Sequence, residues 1–89
     1  MELIDIIRSR LSPLEPLELE ITDDSHRHAG HAGARAGGGH FELRIVSVAF
    51  AGQNTLARHR SIHALLADLM PSRIHALAIS ARAPEESGS

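Results

Sequence analysis

The chain contains no cysteine. Disulfides and thiolate–metal sites are therefore excluded within it, and any sulfur ligand must come from another molecule. It contains no lysine either, since all nine cations are arginine. That removes a lysine Schiff base and a phosphate-loop lysine. Tryptophan and tyrosine are absent and only two phenylalanines are present, so platforms for stacking bases are nearly missing. No apolar run approaches the ~18 residues of a membrane span. Charges at Glu2, Asp5, Arg8 and Arg10 interrupt the first segment, so no signal peptide is expected there. A cytoplasmic location is the expectation, and the missing disulfides are compatible with it. The formal net charge of −2 predicts no strong general attraction to nucleic acid or to acidic membrane.

With 89 residues there is room for one small domain. Domains of this size often rely on disulfides, a metal or a partner. The first of these is excluded here. What the chain does hold in number is histidine, at seven residues.

Leu3, Ile4, Ile7 and Leu11 recur at helical spacing, with acids in the first turn and arginines in the last. Pro13 stops this helix. From Leu17 the period falls to two: Leu17, Leu19 and Ile21 alternate with Glu18, Glu20 and Thr22, which predicts a half-buried strand. Residues 26–40, HRHAGHAGARAGGGH, have no hydrophobic period and are expected to form a loop. A loop this long in so small a domain is often functional. Phe41, Leu43 and Ile45, continued by Val46 and Val48, predict a second strand. A turn at Ala51–Gly52–Gln53–Asn54 follows, and either Asn54 or Thr55 can cap the next helix. Ile62, Leu65, Leu66, Leu69 and Met70 form its apolar stripe, and Pro71 ends it. Ile74 to Ala83 predicts a third strand, with His75, Leu77, Ile79 and Ala81 on one face.

The order is helix, strand, strand, helix, strand. The expected architecture is α/β (α+β), a three-stranded sheet with both helices on one face. One domain is expected over residues 1–84, followed by an acidic tail over 85–89 that is expected to be disordered.

Three groups of residues can carry chemistry. The first is His26, His28, His31 and His40. Neutral imidazole suits Zn, Cu, Fe or Ni, and a flexible loop can aim several rings at one ion. The same residues also serve as solvated filler. The second is His75, which reads either as a core-edge histidine with a satisfied hydrogen bond or as the partner of a loop histidine. Two imidazoles leave half of a tetrahedral metal shell unfilled, so a partner would have to complete such a site. The third is Arg58–His59–Arg60 at the start of the long helix. Cations oppose the helix dipole there. The cluster is either a solvated basic end or a surface for a phosphate or an acidic group. His59 and His63 stand at i, i+4 spacing, which is a weaker metal pattern. No nucleophile or acid–base pair emerges around Ser61 or Ser72. Gly37–Gly38–Gly39 is not a phosphate loop, because no Lys or Ser/Thr opens a helix after it. The chain is therefore expected not to be an enzyme.

Arg58-His59-Arg60-x-Ile62, followed by Ile74-His75-Ala76-Leu77-Ala78-Ile79-x-Ala81, resembles the BolA family. Asp24-Ser25-x-x-His28 and His40-Phe41 match the same pattern, and the resemblance runs from the first helix to Pro84. It implies a fold similar to a class II KH domain. It implies pairing with a monothiol glutaredoxin and a bridging 2Fe–2S cluster. One ligand would be His75 and the other a His or Cys of the loop. A chain without cysteine resembles the His type, in which the Ser-x-x-His spacing assigns His28, with His31 and His26 as alternates. The glutaredoxin cysteine and a glutathione thiolate would supply the other two ligands, and such mixed ligation raises the cluster potential. Histidine binds metal as neutral imidazole, so cluster retention is expected to weaken below about pH 6.

The chain departs from the family pattern at Gly37–Gly39, which predicts a looser loop, and at Glu85–Glu86, which stand where an aromatic is common. The resemblance also implies DNA binding and transcriptional regulation as the alternative function. The GxxG clamp of a true KH domain is absent. The surface available to DNA or a partner is Arg58, His59, Arg60 and Arg73. A homodimer is a further form open to the chain when alone.

Overall fold

The computed structural model describes residues 2–24, 39–70 and 72–87. Helix α1 spans Leu3–Leu11 and buries Ile7 and Leu11. A 3₁₀ turn, Ser12–Leu14, follows around Pro13, and Glu15 takes a left-handed conformation at φ 48° to redirect the chain. Strand β1, Glu18–Asp23, shows the expected alternation, with Leu19 and Ile21 turned inward. Strand β2 spans Gly39–Val46. It begins two residues earlier than the apolar pattern implied, so His40 belongs to a strand and not to the loop.

Asn54, and not Thr55, caps helix α2, Thr55–Leu66: its side chain accepts from the Ala57 N–H at 2.8 Å. The apolar stripe continues past α2 through a 3₁₀ turn, Ala67–Leu69, which buries Leu69. Strand β3 spans Ile74–Arg82. A one-turn helix, α3, covers Pro84–Ser87.

The sheet order is β1-β2-β3, with β1 antiparallel and β3 parallel to β2. The parallel pairing requires a crossover, and α2 supplies it. Ile21 and Ile79 flank Leu43, and Leu19 and Ala81 flank Ile45. Together with Phe41 they present one apolar face, on which Ile7, Leu11, Ile62 and Leu66 pack as a single core. The opposite face carries Glu20, Glu42, Arg44 and Ser80 and is exposed. The expected architecture, with its element order and its helices on one face, is the one observed.

The acidic tail is where expectation and structure part. Glu85 and Glu86 lie in α3, and the Glu86 carboxylate accepts two hydrogen bonds from Arg58, each 2.7 Å. Residues 88 and 89 lie outside the described residues.

Candidate metal-ligand end of the sheet

The carboxyl end of α2's turn and the start of β3 meet the start of β2. Gly39 N–H donates to the Arg73 carbonyl at 2.9 Å, and Asp24 N–H donates to the His40 carbonyl at 2.7 Å. These bonds fix the backbone at Gly39 and His40 from both sides. Between them the pairing slips: Gly39 faces Ile74, but His40 faces Ala76. His75 is the extra residue on β3. Bulges of this kind re-aim side chains.

The consequence for burial is direct. A regular strand counted back from Leu77 would turn His75 inward. Instead Ile74 is fully buried and His75 is exposed. The placement of His75 on the apolar face with Leu77, Ile79 and Ala81 is thus corrected. His40, half-buried, lies beside it, with ring centroids 5.4 Å apart and planes inclined by 44°. An open groove of about 340 Å³ lies beside His40, with Asp24, Glu42 and Ala76 also among its lining residues. His26, His28 and His31, the expected loop ligands, lie outside the described residues. Sequence pattern alone groups His40 with them and does not single it out.

The Arg-His-Arg cluster separates into unlike parts. Arg60 is exposed and His59 half-buried. Arg58 is only 8% exposed. It shares a helix face with buried Ile62 and Leu66, at i, i+4 and i+8. Its guanidinium donates to both Glu86 carboxylate oxygens and, at 3.0 Å, to the Ala81 carbonyl. It also lies 6.0 Å from the Phe50 ring centre. Nε is buried and has no hydrogen-bond partner among the described residues. The expectation that Arg58 belongs to a binding surface is therefore corrected: both terminal nitrogens of its guanidinium donate inside the protein, where they tie α2, β3 and α3 together.

The charge-assisted bonds from Arg58, with a further one from the Ala83 N–H, hold the Glu86 carboxyl down at about 2, from its ordinary 4.5. Arg73, by contrast, is exposed and lies at the His75 end. His59 and His63 share a helix, and neither belongs to a cluster of three or more metal-binding side chains among the described residues. No helix among the described residues is long and apolar enough to cross a membrane.

The sequence profile of the family described as BolA-like protein matches residues 11–86. The chain is 49% identical over 86 residues to SufE-like protein 1, chloroplastic/mitochondrial, of Arabidopsis thaliana. The match covers 90% of this chain but only 23% of that protein. It is 37% identical over 79 residues to the DNA-binding transcriptional regulator BolA of Escherichia coli K12, covering 83% of this chain and 72% of that one. The solved structure of BolA1 from Arabidopsis thaliana superposes with a TM-score of 0.83 at 40% identity, covering 98% of this chain and 97% of that one. The chain belongs to the BolA-like family.

Proposed function

We propose that the protein is a non-enzymatic adaptor that carries a 2Fe–2S cluster jointly with a monothiol glutaredoxin. The observation that carries this reading is His75, held out of the core by the register slip and exposed beside a second imidazole. The donor chemistry fits such a cargo. The chain offers imidazole and no thiolate, so the glutaredoxin cysteine and glutathione complete the shell. His28 is the loop ligand that the Ser-x-x-His spacing assigns. The adaptor works in the cytoplasm under this reading.

The test is to mix the purified protein with a cluster-loaded monothiol glutaredoxin and to record visible absorption and circular dichroism. A new spectrum that His75→Ala abolishes supports the role. Spectra that stay those of the glutaredoxin alone sink it.

A second reading is DNA binding, favoured by the name of the Escherichia coli relative, a DNA-binding transcriptional regulator, and by the exposed Arg60 and Arg73. With Arg58 engaged internally, the phosphate contacts would fall to those two residues. Affinity should then decline with salt, and Arg60→Ala should reduce the slope by about one unit. Binding that is flat across salt removes this reading.

A further inference from the structure

We infer that His40 and His75 form a two-imidazole chelate for a single borderline first-row dication of the Zn²⁺, Ni²⁺ or Cu²⁺ class. The inference rests on the placement of these two rings and uses the same His75 as the cluster reading, but it does not require the cluster.

The first argument is geometric. With metal–nitrogen bonds of about 2.0–2.1 Å and a tetrahedral angle, two ligating imidazoles have ring centres about 5 Å apart. The observed separation is 5.4 Å, with the planes inclined rather than stacked. The second argument is local rigidity. Both rings stand on paired strands; the His40 carbonyl accepts from the Asp24 N–H, and the adjacent Gly39 N–H donates to the Arg73 carbonyl. A site on strands needs less ordering on binding than one on a loop. The third is ligand type. Imidazole selects Zn, Cu or Ni over the oxygen-seeking Mg and Ca.

Among the described residues no cluster of three or more His, Cys, Asp or Glu surrounds the pair. The remaining coordination positions therefore go to water or to donors from another molecule. An open, two-ligand site of this kind exchanges its metal readily. Because it occupies His75, a bound dication competes with cluster loading.

The experiment uses the full chain and Zn²⁺ alone, followed by isothermal titration. One ion per chain is expected. His40→Ala and His75→Ala should each weaken binding by about tenfold or more, the range that even ligand-supporting residues command. The triple variant His26→Ala/His28→Ala/His31→Ala should retain wild-type affinity. Loss of binding in the triple variant with retention in His40→Ala overturns the inference, as does wild-type protein that takes up no Zn²⁺.

A second measurement needs no variant. Sub-stoichiometric Cu²⁺ should broaden the ring signals of His40 and His75 together in the NMR spectrum. Broadening that reaches one of the two without the other overturns the chelate. No glutaredoxin is present in either experiment. Failure of cluster uptake therefore leaves this inference standing, and a null titration leaves cluster uptake to its own test.

Discussion

Two short motifs draw the eye in this sequence, and the fold treats them in opposite ways. Arg58 sits in a cluster that looks like a binding surface, yet its guanidinium is buried and bonded to Glu86 and to the Ala81 carbonyl. His75 sits in phase with apolar strand residues, yet it is exposed beside His40. The cation closes the molecule and the imidazole opens it. The lesson is that neither charge nor strand phase assigns a role alone. A partner 28 residues away decides the first, and one inserted residue in the pairing decides the second.

The comparison can be broken most forcefully at Ile74 and His75, which are adjacent in sequence. Ile74 is fully buried in the core, so Ile74→Ala should cost about 2–5 kcal/mol in denaturant unfolding. His75→Ala should leave stability within about 0.5 kcal/mol, as for other exposed positions. Equal losses at the two positions would show that the register slip does not set their burial.

The next effect is at the closed end. Arg58→Ala removes the donors that Glu86 and the Ala81 carbonyl use, while Arg60→Ala removes an exposed side chain. Arg58→Ala should lower the melting temperature by several degrees and Arg60→Ala by much less. Similar melting curves would return Arg58 to the surface.

A smaller effect is in acid. Glu86 has a carboxyl pKa lowered to about 2 by Arg58, against 4.5 ordinarily. A depressed acid contributes stability that is fully present above the unfolded value and is lost as pH falls through the folded one. The contribution of the pair should therefore persist above about 4.5 and fade between there and about 2. Glu86→Gln should remove that part of the acid dependence and leave the neutral-pH profile parallel to wild type. An unchanged acid profile would contradict the pairing.

Much of the fold was legible in the sequence, because it rests on periodicity. The switch from a helical period in Leu3–Leu11 to a period of two in Leu19–Ile21, and back again at Ile62–Met70, fixes the element types. The proline and Asn54 signals fix several ends. The site was less legible. Counting by twos from Leu77 reaches His75, and nothing in the composition announces an extra residue. A signal was present all the same. Ile74 and Leu77 are both apolar and three apart, a spacing that a regular strand cannot bury on one face. Arg58 had its own signal, since it stands in phase with Ile62 and Leu66 on α2. Its charge pointed outward and its phase inward, and Glu86 resolved the conflict. His40 reads as part of the loop because residues 26–40 have no hydrophobic period. Its place in the strand comes from the Asp24 N–H on its carbonyl and from its pairing with Ala76, both distant in sequence.

The most direct measurement of the central claim is pulsed EPR on the reduced heterodimer, with ¹⁵N-histidine placed only in this chain. A cluster held through His75 and His28 predicts ¹⁵N hyperfine coupling from two imidazoles, and His75→Ala should remove one of the two couplings or release the cluster. A cluster-loaded heterodimer without ¹⁵N coupling, or one whose coupling survives His75→Ala unchanged, would contradict the account.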